Sequence, residues 1–155
     1  PTKEEIIEEF KKYDLNDFKE IVFCGFGEPM ERWDDIKEVI DYLRTVKKDI
    51  LIRINTNGLA NDLYNRDVTP EYKGRFDTVS ISLNAPTKEE FLELTRSKFG
   101  ISSFEDMLDF ARRCKAYVPH VVLTVVDIIG EEKIAACKKI TDELGVTLRV
   151  RPFEE

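Results

Sequence analysis

IVFCGFGEPMERWDD, residues 21–35, joins a hydrophobic run to a glycine turn and then to a helix. The apolar run ends in turn residues at Gly25, a pattern typical of a short buried strand. Apolar residues then recur at helical spacing, which predicts an amphipathic helix from about Trp33 to Val46. A strand that enters a helix through a short turn is the repeating unit of parallel α/β folds.

The same alternation continues along the chain. Further strands are predicted in DILIRIN (49–55), DTVSISLNAP (77–86), HVVLTVV (120–126) and VTLRVRPF (146–153), with helices between them. Five strands alternating with helices imply a parallel sheet with right-handed crossovers. The first helix, opened by a T-x-x-E capping box at Thr2, has no strand before it. We therefore predict an α/β fold in one domain, residues 1–155: a partial (β/α) barrel with its first strand missing.

Composition and cysteine spacing exclude several classes of protein. The chain has 155 residues and a net charge of −7, which argues against a nucleic-acid or anionic-membrane surface. Its longest apolar stretch is far shorter than the roughly 20 residues of a membrane span. Cys24, Cys114 and Cys137 are odd in number and widely spaced, which predicts core residues of a reduced, cytoplasmic protein. The lone His120, at the start of a strand, is expected to be structural or exposed to solvent.

In parallel α/β folds, chemistry collects where strands end and helices begin. The predicted strands end, in chain order, in Gly25–Pro29, Asn55–Gly58, Ser82–Pro86, Thr124 with Asp127, and Arg149 with Arg151. These ends offer neutral amides, hydroxyls and open backbone, with few charges. Such a rim favours a polar, zwitterionic or sugar-bearing ligand over a bare metal ion.

The glycine turn does not fit a phosphate-binding loop. A G-x-G-x-x-G fingerprint would need a glycine at Met30, and the Glu28 carboxylate would repel a pyrophosphate. Two glycines instead leave the backbone carbonyls of the turn unshielded, and carbonyls are acceptors suited to an ammonium group. Glu28 then either braces the loop or adds negative charge beside the cation. A plain strand-to-helix corner with an incidental Glu remains the alternative.

Three motifs in the right order resemble the radical S-adenosylmethionine (radical SAM) enzymes. CGFGEPM is similar to the family's Gly-Gly-Glu-Pro motif, TNG (56–58) is frequent after its third strand, and SISLNAPTKEEFLELTR is similar to its fourth strand and next helix. The overall pattern is most similar to the radical SAM proteins associated with TatD-family nucleases. The resemblance implies S-adenosylmethionine (SAM) as cofactor, a partial barrel, and 5′-deoxyadenosyl-radical chemistry on a substrate that it does not identify.

The resemblance also implies roles for individual residues. Backbone carbonyls of the family's motif hold the methionine ammonium, and Ser-x-Asn approaches the methionine carboxylate and ribose. Arg96 either pairs with that carboxylate or forms a surface ion pair, while Asn55 and Asn57 serve the ligand or the turn. The implied cofactor-binding residues are Gly25, Phe26, Gly27, Glu28, Asn55, Asn57, Ser82, Asn84, Arg96, Thr124, Val126 and Arg151, the last three beside adenine.

The chain departs from the family in one respect. The CxxxCxxC loop that anchors the family's 4Fe-4S cluster is not in this sequence, and its cysteines are expected upstream of Pro1. We therefore predict a fragment with no catalytic or metal-ligating residue of its own, from a parent enzyme that needs an electron donor. The alternative is a non-catalytic α/β module for ligand binding or protein docking. An incomplete barrel also exposes the sheet edge beside the first strand, where self-association is expected.

Overall fold

The computed structural model of the protein describes residues 1–25 and 27–153. Five parallel strands form one open sheet in the order β1-β2-β3-β4-β5. The strands are β1 (Glu20–Phe23), β2 (Leu51–Thr56), β3 (Thr78–Ser82), β4 (His120–Val126) and β5 (Thr147–Arg151). The helices are α1 (Lys3–Phe10), α2 (Trp33–Val46), α3 (Ala60–Tyr64), α4 (Lys88–Thr95), α5 (Ser103–Cys114) and α6 (Glu131–Leu144). Strands and helices alternate as expected, which confirms the predicted α/β fold of a partial (β/α) barrel.

The helix ends follow from local sequence. The Thr2 hydroxyl accepts a hydrogen bond from the amide of Glu5 at 3.1 Å, and the Thr87 hydroxyl accepts one from Glu90 at 3.2 Å. Both threonines therefore satisfy amides that have no partner within the helix. Gly145 ends α6 in the left-handed conformation (φ 73°) that glycine adopts without a steric penalty.

The hydrophobic core lies on one face of the sheet. Alternate residues of the strands, such as Ile54, Ile81 and Leu123, belong to this core and are fully buried. Aromatic side chains from α2 and from the loop before β3 pack beside them, with Trp33 5.3 Å from Tyr72 between ring centroids. The intervening strand residues point to the opposite face, which carries the polar residues Arg53, Asn55, Thr78, Ser80 and Ser82. Helices therefore cover one face and leave a polar face open.

The first strand is less buried than its sequence suggests. All four residues of β1 are half-buried, because β1 lies at the edge of the sheet. Cys24 follows the last residue of the strand and is exposed, so its predicted place in the core is wrong. Cys114 and Cys137 are buried in α5 and α6, as predicted.

The segment between β2 and β3 holds the one short α-helix that its polar sequence allows. A 3-10 turn, Thr69–Tyr72, follows α3 and buries Tyr72 completely. Among the described residues, no helix has both the length and the apolar character required to cross a membrane.

Candidate functional site

The carboxyl ends of β1, β2 and β3 line a groove at the carboxyl-terminal end of the sheet. One part has a volume of about 330 Å³ and is lined by Cys24, Gly25, Gly27, Glu28, Pro29, Asn55, Thr56, Asn57 and Ser82. An adjoining part of about 380 Å³ extends toward the loop after α4 and is lined by Glu31, Asn57, Leu59, Ser82, Asn84, Phe91 and residues 95–99. Asn57 and Ser82 line both parts, so we treat them together as the strand-end groove.

The strand-end groove brings together most of the predicted binding residues. Eight of them line it: Gly25, Gly27, Glu28, Asn55, Asn57, Ser82, Asn84 and Arg96. The parallel register explains why residues so distant in sequence meet, since it places Thr56 beside Ile81 and Ser82 beside Thr124. Phe26 lies outside the described residues.

The three predicted residues of the later strands lie apart from the groove lining. Thr124 is buried in β4, one strand beyond Ser82. Val126 is half-buried, and its neighbour across the β4–β5 pair is the exposed Arg151. These residues lie at the carboxyl ends of β4 and β5, farther from the glycine turn than Ser82.

The two glycines of the turn leave the groove side of the backbone open. Gly25 is not among the described residues with a positive φ, so the left-handed conformation does not explain its presence. A Cβ atom built on either residue would have no described neighbour within 4 Å. The backbone there is unobstructed, as a ligand that contacts carbonyls directly would require.

Glu28 ties this turn to the end of β2. Its carboxylate accepts hydrogen bonds from the backbone amides of Met30 at 2.9 Å and Asn57 at 2.7 Å. The hydroxyl of Thr56 lies 2.9 Å from each carboxylate oxygen. Burial raises the pKa of Glu28, whereas the hydrogen bonds to Asn57, Met30 and Thr56 favour the charged form. Of the two roles open to Glu28, bracing the loop is the one these contacts provide.

The asparagines of the groove differ in what holds them. The side-chain oxygen of Asn57 accepts a hydrogen bond from the amide of Leu59 at 3.0 Å, a contact that stabilises the turn after β2. Asn84 adopts a left-handed backbone (φ 68°), and its amide donates to the Thr124 carbonyl at 3.2 Å. Asn57 thus has a structural bond, while the side-chain amide of Asn84 makes no hydrogen bond to the described residues.

Positive charge enters the groove from the loop after α4. Arg96 is the C-cap of α4 with φ 50°, is exposed, and forms no salt bridge with any described residue. Lys98 lines the same part of the groove, with its ammonium nitrogen 5.2 Å from the Phe99 ring centroid. The predicted alternative of a surface ion pair for Arg96 is therefore not what the described contacts show.

Thr56 and Lys98 line the groove but are not among the predicted binding residues, although Thr56 stands in the predicted strand end Asn55–Gly58. Thr56 carries a recognisable signal, because a hydroxyl that directly follows a buried strand and precedes Asn-Gly is placed at a strand end. Lys98 follows Arg96 by two residues and shares its loop, which the R-S-K spacing suggests once α4 is known to end at Thr95.

The cysteines of the chain do not fit a cluster site. The described residues contain no group of three or more His, Cys, Asp or Glu side chains that could hold a metal ion. Burial raises the pKa of Cys137 to about 11 and that of Cys114 still further, which disfavours the thiolate form that binds iron. Cys24 is the exposed exception, and it stands alone beside the groove.

Comparison with known families identifies a superfamily that covers most of the chain. The family described as the radical SAM superfamily matches residues 1–140. No curated protein matches the chain. The matched region includes β1 to β4 and every residue that lines the strand-end groove.

Proposed function

Because the chain belongs to the radical SAM superfamily, we propose that the strand-end groove binds S-adenosylmethionine. The observation that carries this proposal is the meeting of Gly25, Gly27, Ser82, Asn84 and Arg96 in one groove. Together they offer acceptors for an ammonium group, donors for a carboxylate and neutral partners for a sugar. A zwitterionic amino acid joined to a nucleoside needs this combination.

The methionine end is assigned to the two sides of the groove. Carbonyls of the glycine turn accept from the ammonium, and the open space beside Gly25 and Gly27 allows that approach. The guanidinium of Arg96 pairs with the carboxylate, since a guanidinium offers two parallel donors and this one forms no salt bridge with a described residue, although Glu31 lines the same part of the groove. Ser82 and Asn84 donate to the carboxylate and the ribose.

The adenine end is assigned to the later strands. Thr124, Val126 and Arg151 lie on β4 and β5, beyond Ser82 along the same edge of the sheet. Their backbone and side chains would flank the base, with Asn55 nearer the centre of the open face. The closer similarity to radical SAM proteins associated with TatD-family nucleases remains a prediction.

In this superfamily, SAM bound to a reduced 4Fe-4S cluster supplies the radical that removes hydrogen from a substrate. This chain's residues bind and orient the cofactor, and none of its cysteines fits the cluster. We therefore propose that residues 1–155 are the SAM-binding part of a radical SAM enzyme, that residues outside this chain hold the cluster, and that an electron donor reduces it. The isolated chain is expected neither to assemble a cluster nor to cleave SAM.

Titration calorimetry with SAM tests the binding proposal. Asn84→Gly keeps the left-handed backbone while removing the side-chain amide, and we expect it to weaken SAM binding about five-fold or more. His120→Ala is the control, because His120 is exposed at the opposite end of β4. Wild-type protein that shows no binding heat at millimolar SAM would refute the proposal.

Anaerobic reconstitution with iron and sulfide tests the fragment proposal separately. The expected result is no stable 4Fe-4S absorbance band and no 5′-deoxyadenosine after addition of dithionite and SAM. A stable band with four irons per chain would contradict it, whatever the SAM affinity.

Self-association at the β1 edge is a further part of the proposal. A groove of about 610 Å³ beside this edge is lined mainly by apolar residues, among them Ile6, Phe10, Phe18 and Ile21. Unpaired backbone groups of an edge strand can pair with another chain. A concentration-dependent mass by light scattering is expected, and a constant monomer mass would exclude it.

A further inference from the structure

We propose that Thr56 is a positioning residue for SAM, acting through Glu28 on the glycine turn. This inference rests on the proposed function, since it concerns how the same groove is held in shape. Thr56 is the last residue of β2 and is 4% exposed, and its hydroxyl is hydrogen-bonded to Glu28 and Gly58. It has no contact with the ligand in this proposal, and its effect passes through the carboxylate.

The hydroxyl of Thr56 has a defined direction. Its oxygen accepts a hydrogen bond from the amide of Gly58 at 3.2 Å, which occupies a lone pair and leaves the proton for another partner. The carboxylate of Glu28 lies 2.9 Å away and can only accept while it is ionised. Thr56 therefore donates to Glu28.

Gly58 fixes the other end of this chain of contacts. It has φ +77°, and an added Cβ would lie 2.8 Å from Ile81 Cγ2 and 2.9 Å from Met107 Cγ. The turn after β2 is thus pressed against the core between β3 and α5. The amide of Gly58 therefore links the packed core to the hydroxyl of Thr56. Thr56 is bonded to Glu28, and Glu28 accepts a hydrogen bond from the amide of Met30 on the turn.

Glu28 is hydrogen-bonded to Thr56, which lies 28 positions away along the chain. It joins the amide of Met30, on its own turn, to Thr56 and Asn57 at the end of the neighbouring strand. A turn whose glycines have no close neighbours needs such a tie to keep its carbonyls in one place. The turn is therefore already ordered before the ligand binds, so the ordering does not weaken the binding.

The protonation state of Glu28 depends on these hydrogen bonds. Its carboxylate is faced by Glu31 on the same turn, by the buried hydroxyl of Tyr72 and by the donors Asn57, Met30 and Thr56. Each donor stabilises the ionised form and lowers the pKa of Glu28, against the burial that raises it. Removal of the Thr56 hydroxyl must therefore raise the pKa of Glu28 further.

The experiment compares Thr56→Val, which has nearly the same shape without the hydroxyl, with Thr56→Ser, which retains it. The control is Thr69→Val: Thr69 is equally buried and donates to a carboxylate, that of Asp67 at 2.7 Å, but does not line the groove. The Glu28 carboxyl is titrated by 13C NMR in the ligand-free full chain. SAM affinity is measured by calorimetry from pH 5 to 8.

We expect Thr56→Val to raise the pKa of Glu28 and to weaken SAM binding about ten-fold, with the acid-side loss of affinity moved to higher pH. Thr56→Ser is expected to restore both, while Thr69→Val lowers stability without changing either. An unchanged pKa in Thr56→Val, or an equal loss of affinity at every pH, would overturn the proposal. If the wild type binds no SAM, the proposed function fails, and the pKa measurement alone decides whether Thr56 holds Glu28.

Discussion

The amide of Arg96 donates to the carbonyl of Leu92 at 2.8 Å, which closes the last turn of α4 with an arginine in the left-handed conformation. Helices commonly end in this conformation, but the residue is usually glycine because a side chain there costs about 1 kcal/mol. α6 follows that rule with Gly145, whereas α4 does not. An arginine at a position that favours glycine points to a use for the guanidinium in the groove beside it.

Replacing Arg96 with glycine should therefore separate stability from binding. We expect Arg96→Gly to raise the free energy of unfolding by roughly 0.5–1 kcal/mol, because the strained cap is relieved. The same change should weaken SAM binding at least ten-fold through loss of the carboxylate partner. Urea denaturation and calorimetry measure the two effects.

The control for Arg96→Gly is Asn65→Gly. Asn65 is the other polar left-handed cap, at the end of α3 with φ 52°, and it does not line the groove. It should gain less stability, since asparagine tolerates this conformation, and it should leave SAM affinity unchanged. Loss of stability in Arg96→Gly would show that the cap is not strained.

Gly58→Ala is expected to be among the most damaging single substitutions. The added Cβ would lie within 3 Å of both Ile81 and Met107, in a backbone with positive φ. Backbone strain and overpacking together should lower the free energy of unfolding by roughly 2–4 kcal/mol. Gly74→Ala provides the comparison, because Gly74 has φ +76° and no described neighbour within 4 Å of an added Cβ. It should cost only about 1 kcal/mol, and similar losses in both variants would contradict the packing argument.

The fold was predictable because periodic apolar residues and turn residues are local signals. β4 and α2 begin and end where their apolar patterns predict, and Thr2 marks the start of a helix as expected. Cys24 was misjudged because its exposure depends on which strand lies at the sheet edge, a property of the whole topology. The strand order that leaves β1 at the edge is not written in the residues of β1 itself.

The site was predictable in its members but not in its contacts. Strand ends collect at one edge in any parallel sheet, so Gly25, Asn57 and Ser82 could be placed together from the sequence. The bond from Thr56 to Glu28 joins residues that no local pattern relates. The missing ion pair of Arg96 likewise depends on which acids the fold brings near it.

Asp62 should make stability depend on pH in the opposite sense to most carboxylates. Burial, together with the neighbouring Asp106 carboxyl, raises the pKa of Asp62 to about 6. Oδ2 of Asp62 is buried and has no hydrogen-bond partner among the described residues. When Asp62 and Asp106 are both ionised, neither can donate a proton to the other, so the folded protein favours the protonated form of Asp62 more than the unfolded chain does. Since the folded pKa exceeds the unfolded value of about 4, the stabilising proton is fully present below about pH 4 and is lost as the pH rises through 6.

Asp62→Asn should therefore be more stable than the wild type above pH 6, by about 1 kcal/mol after allowance for solvent screening. Asp109→Asn is the contrasting variant, because Arg113 and Arg112 lower the pKa of Asp109. It should be neutral or slightly destabilising at the same pH. Thermal denaturation between pH 4 and 8 measures both, and a gain in stability at pH 4 as large as at pH 8 would refute the shared proton.

Glu71 should behave in the usual sense and can be followed with the chain's single tryptophan. Its carboxylate accepts hydrogen bonds from Arg66, from Lys37 at 3.1 Å and from the indole N–H of Trp33 at 3.3 Å. The hydrogen bond from Arg66 is the main cause that lowers the pKa of Glu71 to about 2. The resulting stability is present above the unfolded pKa of about 4.3 and is lost as the pH falls toward 2.

Glu71→Gln should consequently lower the free energy of unfolding at pH 7 by about 1–2 kcal/mol, since two cations lose their charged acceptor. The difference from the wild type should shrink as the pH falls below 4, because the wild-type carboxylate then takes up a proton in the unfolded chain while it stays charged in the folded protein until about pH 2. Trp33 fluorescence reports unfolding and the loss of the indole contact in one measurement. Glu143→Gln, at an exposed position of α6 with no described ion pair, is the control and should change stability by less than about 0.5 kcal/mol. A deficit in Glu71→Gln that stays constant down to pH 2 would mean that the glutamine disturbs packing rather than charge.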